Sequence, residues 1–386
     1  MKEFASIFSQ LLAIFSRSRF ESAVRRHEAE RGAKGFDCWT QFVAMLFCQL
    51  GRAHSLREIC GGLASVEGKL QHLGVGNAPA RSTLSYANAH RPAGLFEDVF
   101  HSLLGRCQAL AGPRKFRFKN KLYSLDATVI DLCLSVFDWA KFRRAKGAVK
   151  LHLLLDHDGY LPTFCLMTEG RVHEINVART LEFPSGAIVV MDRGYVDYLW
   201  LDALDAQGVF FVTRLKENAL FSVEATLCPP KGRILVDEII QLPGGGKSLN
   251  PDRVLRRVVV WDGVNEREIV LLTNNFKLAA ATIAALYKER WQIELFFKAL
   301  KQNLKIKTFI GTSANAVRIQ IWTALIAILI LKYLQMRSRL QWSLSNLVAL
   351  LRLNLFVHRD LWRWVDEPFQ PPEVSDITTQ CAFDFA

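Results

Sequence analysis

The chain has 386 residues, half of them apolar, so it can bury more than one sizeable core. Its 49 Lys and Arg against 37 Asp and Glu leave a formal charge of +12, which suggests a polyanionic partner, nucleic acid before membrane. The eight cysteines (Cys38, Cys48, Cys60, Cys107, Cys133, Cys165, Cys228 and Cys381) contain no close Cys-x-x-Cys pair, which argues against a disulfide framework or a zinc site and for packed, reduced thiols.

The N-terminus, Met-Lys-Glu-Phe, carries no charged-then-apolar leader, so a cytoplasmic location is expected. Residues 1–110 read as an all-helical domain. Phe4, Ile7, Phe8, Leu11, Leu12 and Phe15 form one helical stripe, and a basic stretch with Arg17, Arg19, Arg25, Arg26 and Arg31 follows. A second apolar helix is expected over residues 39–50. Ser55-Leu-Arg-Glu58 has capping-box spacing, and Ser82 is expected to cap a helix over residues 81–88. Short helices ending in one rich in Ser, Thr, Tyr and Asn suit a helix-turn-helix-like DNA reader. A helical bundle used for dimerisation is the plain alternative. Basic and aromatic residues then alternate over 114–121, as in a phosphate-tracking strand or an edge strand with a solvated face.

From Leu122 the pattern changes to strands. Leu122-Tyr-Ser-Leu-Asp-Ala-Thr-Val-Ile130 is fit for burial yet interrupted by Asp126, a placement costing several kcal/mol unless the acid is paired or metal-bound. Two further strands flank Asp156-His-Asp-Gly159, a hairpin signal. A helix over residues 174–182 precedes Ala187-Ile-Val-Val-Met-Asp-Arg-Gly-Tyr195, a buried strand running into Asp192 and a Gly turn. A helix over residues 196–206 and a strand over 208–213 follow. Three strands, helix, strand, helix, strand is a ribonuclease-H-like α/β layout, a mixed sheet with flanking helices. In it the first and fourth strands adjoin, so Asp126 and Asp192 converge.

Residues 215–265 read as a β-rich insertion, and a strand over 267–273 returns the chain to the sheet before the last catalytic helix. That helix carries Tyr287, Arg290, Glu294, Lys298 and Lys301, spaced 3, 4, 4 and 3 apart and so within about 80° on one face. Ile293, Phe296, Phe297 and Leu300 lie on the other side. A lone carboxylate among cations suits a metal held close to phosphate, although Arg290 and Glu294 taken alone make an ordinary i,i+4 surface pair. The apolar run 321–331 is about half of what a bilayer requires, so a buried core helix is expected there and no membrane. The expected segments are 1–110, 111–214, 215–265, 266–340 and a helical region with a loose tail over 341–386.

The spacing Tyr-x2-Arg-x3-Glu-x6-Lys, with Ser124-Leu-Asp-Ala-Thr128 and Met191-Asp-Arg-Gly-Tyr195, resembles the DDE transposases of bacterial insertion sequences, in the group named for its Tyr-Arg-Glu-Lys (YREK) signature. The resemblance covers roughly residues 122–335, and residues 1–110 resemble, more weakly, the N-terminal domain often attached to such enzymes. It implies cut-and-paste movement of an insertion sequence: end nicking, a hairpin on the cut end, and strand transfer into target DNA. It also implies terminal inverted repeats as substrate, a homodimer when two ends are paired, and a place on the bacterial nucleoid.

Asp126, Asp192 and Glu294 are the expected catalytic metal ligands. Three converging carboxylates need divalent cations, and oxygen-only donors favour Mg²⁺, with Mn²⁺ able to substitute. Two ions per site, about 4 Å apart, would serve an in-line phosphoryl displacement. Tyr287, Arg290, Lys298 and Lys301 are expected to hold the phosphate of the cut end. Trp261 is the candidate for stacking a flipped base, against its commoner use as a core or surface residue. Arg143, Arg144 and Lys146, with Lys141, and Arg193 are candidate DNA contacts, against a solvated face. Two rivals stand: a nuclease of the same fold that never joins strands, and a DNA-binding protein without catalysis.

Overall fold

Six helices open the chain: α1 (Ile7–Leu12), α2 (Arg17–Arg26), α3 (Cys38–Leu50), α4 (Leu56–Ser65), α5 (Arg81–His90) and α6 (Gly94–Leu110). In this computed structural model the described residues are 5–66, 68–112, 119–132, 137, 139, 141–143, 146–227, 232–242, 254–304 and 309–370, without the side chains of 141–143, 146 and 303. Ile7, Phe8, Leu11 and Leu12 of the first stripe are buried. The capping box forms: Ser55 Oγ accepts from the Glu58 amide at 3.2 Å, and Glu58 reaches back to the His54 amide at 2.8 Å. Ser82 does not cap α5. The helix starts at Arg81, with Ala80 in extended backbone as its cap residue, so Ser82 lies inside the first turn. Residues 114–118 of the basic–aromatic run over 114–121, Arg144, Cys133, Cys228 and the tail from residue 371 lie outside the described residues.

The strands and helices that follow are β1 (Leu122–Leu132), β2 (Lys141–Arg143), β3 (Lys146–Asp156), β4 (Leu161–Glu169), α7 (Glu174–Ala178), β5 (Ile188–Met191), α8 (Tyr198–Ala206), β6 (Phe210–Arg214), β7 (Ser222–Thr226), β8 (Ile234–Gln241), β9 (Val254–Asp262), β10 (Arg267–Thr273), α9 (Ala280–Glu289) and α10 (Trp291–Asn303). One mixed sheet runs β3-β1-β5-β6-β10-β9-β8-β7, with β2 and β4 both on the free edge of β3. The pairs β1–β5 and β5–β6 are parallel, and the others are antiparallel. Strand β5 is buried on both faces, as a parallel strand between helical layers must be. Val189 and Met191 pack with Trp200, Leu201 and Leu204 of α8. Ile188 and Val190 pack on the opposite face with Ile283 and Leu286 of α9. The order β4-β3-β1-β5-β6 is ribonuclease-H-like. The β-rich stretch does not stand apart from it, because β10, β9, β8 and β7 continue the sheet outward from β6. The Asp156–Gly159 signal turns the β3–β4 hairpin, with Gly159 at φ +77° where a side chain would be strained.

Three helices close the described chain: α11 (Ala314–Arg337), α12 (Leu344–Asn354) and α13 (Leu361–Asp366). Two compact units result, residues 111–299 and residues 1–110 with 300–386. Residues 300–340, expected to complete the catalytic domain, fall in the same compact unit as the N-terminal helices. The reason is α11, which is apolar around its whole circumference and needs neighbours on every side. Its contacts are with α3, α5, α6 and α12 of its own unit. The apolar run is thus part of a 24-residue helix long enough to cross a bilayer, yet 83% of its most apolar window is buried inside the protein.

Candidate active site

The parallel register of β1 and β5 decides where two acids go. Leu125 pairs with Met191, so Asp126 and Asp192, each the next residue, adjoin at one end of the sheet. Asp126 is largely buried. Its Oδ1 accepts from the Ala127 amide at 2.8 Å and its Oδ2 from Arg290 Nη1 at 3.2 Å. Arg290 Nη2 donates to Glu294 Oε1 at 2.6 Å, so one guanidinium bridges two of the three expected acids. Asp192, half-exposed, follows β5 and caps the short turn Arg193–Tyr195, accepting from the Gly194 amide at 3.4 Å. Burial, with the charges of Glu294 and Asp192 adding, pushes the Asp126 carboxyl up to about 6 in spite of Arg290.

The motif is not one uninterrupted helix. It breaks at Arg290 between α9 and α10, where bonds from the Arg290 amide to Tyr287 O and from the Ile293 amide to Arg290 O tighten the backbone. The tightening falls on the residue whose side chain ties the helix to β1. The apolar side behaves as expected, with Ile293, Phe296, Phe297 and Leu300 all buried. The Arg290 guanidinium lies over the Tyr287 ring, 5.7 Å from its centroid. Lys298 is exposed one turn beyond Glu294, and Lys301, a further turn along α10, falls past the boundary of the sheet unit. So Arg290, expected on a phosphate, is paired with acids here.

Trp261 ends β9. Glu268 opposite it precedes Leu271, which pairs with Arg214 at the end of β6, so the β9–β10 hairpin runs about 10 Å past that end. This is the end of the sheet that carries Asp192. Trp261 is 41% exposed there. Arg193 is paired with Glu217. The side chains of Lys141, Arg143 and Lys146 are outside the described residues. His152 and His157 are buried and bonded within the protein, to Thr168 at 2.9 Å and Ser124 at 2.7 Å, and Asp197 caps α8.

Two buried groups near the acids were not singled out from the sequence. Glu289, 6% exposed, accepts from Tyr160 at 3.3 Å beside the bridging Arg290. Tyr195, 2% exposed, lies three residues after Asp192. The one available signal was position, each adjoining a residue already in a motif.

Among the described residues no three His, Cys, Asp or Glu groups enclose an ion as they stand. The donor chemistry nevertheless fits a divalent cation. All three donors are carboxylates, burial leaves Asp126 short of positive charge, and a guanidinium already bridges Asp126 and Glu294.

This sheet order, with Asp126 inside β1 beside Asp192 just past the end of β5 and a third acid on the helix that follows the sheet, defines a ribonuclease-H-like fold. Comparison with known proteins narrows the class. Residues 117–330 match the model of the family described as "Transposase DDE domain". The chain belongs to the DDE transposase family. Residues 4–76 match a "Domain of unknown function (DUF4372)". The chain is 34% identical over 79% of its length to a Sinorhizobium fredii protein named "Putative transposase y4zB", covering 85% of that protein. It is 29% identical over 68% of its length to the "Probable transposase for insertion sequence element IS5377" of Geobacillus stearothermophilus, covering 70% of it. The family cleaves and transfers DNA strands and depends on divalent metal.

Proposed function

We propose that the chain moves an insertion sequence by cut-and-paste transposition, with Asp126, Asp192 and Glu294 as ligands of two Mg²⁺ or Mn²⁺ ions. The observation that carries this reading is the joint placement of Asp126 beside Asp192 by strand register and of Glu294 against Asp126 through Arg290. Such ions supply activation of the attacking oxygen and stabilisation of the leaving one. The protein's part begins with Arg290, which holds Asp126 and Glu294 together and would yield them if the carboxylates took metal. Its fork then suits two oxygens of the DNA end phosphate. Tyr287 lies beneath it, and Lys298 and Lys301 extend the positive charge along α10. Trp261, on the hairpin past the same end of the sheet, stacks the base flipped during hairpin formation. Two inverted repeats are paired by a homodimer, and the ends are then transferred to target DNA.

Recognition of the ends is the work of the helical unit. A cleft between α4 and α5 is lined by His54, Arg57, Arg81, Ser82 and Ser85. Tyr86, 67% exposed, projects from α5 with its ring stacked on His90. Glu58, the acid of that region, is already engaged in the capping box. Arginines, hydroxyls and an exposed aromatic together suit DNA backbone and groove contacts.

The test is cleavage of DNA carrying the sequences that flank the gene, with Mg²⁺ or Mn²⁺, beside Glu294→Gln, resolved on a denaturing gel. Metal-dependent nicks at the repeats, then hairpins and joined products, all absent from the variant, are expected. Nicks without joined products would instead identify a nuclease.

A further inference from the structure

The turn of the β3–β4 hairpin reaches α9 through one side chain. Tyr160, its last residue, sits at φ +53°, a left-handed backbone that bulky residues rarely adopt. Its hydroxyl donates to Glu289 Oε2 at 3.3 Å. Glu289 is 6% exposed and immediately precedes Arg290, where the α9–α10 break falls. A carboxylate buried that far needs a partner. Burial, with Glu289 adding, pushes the Tyr160 phenol up to about 12, so it donates at working pH.

The turn is itself fixed to β1. The His157 amide donates to Leu122 O at 3.0 Å, and the His157 ring is bonded to Ser124 Oγ at 2.7 Å. The Tyr160 ring packs against that imidazole, with centroids 5.4 Å apart. Leu122 packs with Ile283 and Leu286 of α9, and strand alternation puts Ser124 and Asp126 on that same face. The contacts close a circuit there. From Asp126 it runs back two residues to Ser124, then through His157, Tyr160 and Glu289 to Arg290, which returns to Asp126 at 3.2 Å. Strand β1 thus holds the break between α9 and α10 at two points, and the Arg290 point is the one that a ligand of the acids contests. We propose that Tyr160 and Glu289 are positioning residues of the acidic centre: their bond keeps α10, with Glu294 in its first turn, in register with Asp126 when Arg290 yields the carboxylates. This inference rests on the reading of Asp126, Asp192 and Glu294 as metal-holding acids.

The test compares the full-length chain with Tyr160→Phe, Glu289→Met, Glu289→Gln and Asp126→Asn by Mn²⁺ titration calorimetry well below unfolding, and by thermal unfolding without metal. Tyr160→Phe should bind Mn²⁺ about tenfold more weakly, the loss typical of groups that orient metal ligands. Glu289→Met removes the buried charge together with the bond, so it should keep the fold and show the same loss. Glu289→Gln, whose amide oxygen still accepts from the phenol, should stay near the parental affinity. A merely structural bond would lower Tm in Tyr160→Phe and leave the affinity alone. Parental affinity in Tyr160→Phe and Glu289→Met, beside an Asp126→Asn that has lost binding, overturns the proposal and leaves the reading of the acids standing. An equal loss in Glu289→Gln overturns it too, because the charge of Glu289 and not its bond to Tyr160 would then matter. Parental affinity in Asp126→Asn overturns the reading of the acids, and the proposal with it.

Discussion

The sheet unit contains two arginine–carboxylate clusters built on opposite terms. In the first, Arg256 of β9 grips Asp237 of β8 through Nε and Nη2, both at 2.8 Å, and uses Nη1 on the carbonyls of Asn275 and Leu278 at 3.2 and 2.6 Å. Both side chains are almost wholly buried, 5% and 1% exposed. In the second, Arg290 spans Asp126 and Glu294, whose side chains are 20% and 34% exposed, and its buried Nε has no hydrogen-bond partner among the described residues. The first cluster fixes the segment leading into α9 and leaves nothing for a ligand. The second is half-satisfied and reachable, the condition in which a new cation or phosphate can compete. Saturation of hydrogen bonds, more than charge or burial, separates a structural ion pair from a working one.

The largest effect should come from breaking the saturated cluster. Asp237→Ala strands the Arg256 charge and should cost about 3–5 kcal/mol in urea unfolding. Glu294→Gln should do the reverse, moving the urea midpoint little while lowering the strand-cleavage rate about 10³-fold, the several kcal/mol expected of a lost metal ligand. A variant that lost stability instead would make the second cluster structural too.

The pH dependence of stability without metal sharpens the contrast. The Asp126 carboxyl, pushed up to about 6 chiefly by burial, contributes stability that is present below pH 4 and lost as pH rises through 6. The His152 imidazole, buried and held down to about 4, acts oppositely: its contribution is present above pH 6.5 and lost as pH falls through 4. At most about 3 kcal/mol is available from each, and the two nearly cancel between pH 4 and 6. Asp126→Asn should therefore unmask a rise of stability with pH in urea unfolding, and His152→Asn a fall. The smallest effect concerns Arg290. Arg290→Gln removes the cation competing for the acids, so it should bind Mn²⁺ severalfold more tightly in calorimetry while cleaving DNA less well.

Much of this was readable from local pattern. Asp126 stood out because an acid interrupted a strand fit for burial, and Asp192 because a buried run ended on it before a glycine. The polar and apolar sides of α9–α10 followed from residue spacing. What escaped depends on distant partners. The contact of Arg290 with Asp126 escaped because it spans 164 residues. The helical character of residues 300–340 does not say which core receives them, so their grouping in one compact unit with the N-terminal helices was not legible.

The parallel pairing of β1 with β5 has a consequence for the newly made chain. Asp126 and Asp192 are 66 residues apart and Glu294 is 102 further on, so the acidic centre closes through two long loops and not through any local turn. Parallel pairing of this kind is slow to form. A nascent chain halted before residue 290 holds two acids and neither the bridging arginine nor the third carboxylate. The acidic centre is therefore complete only after most of the protein has been synthesised and its sheet has closed.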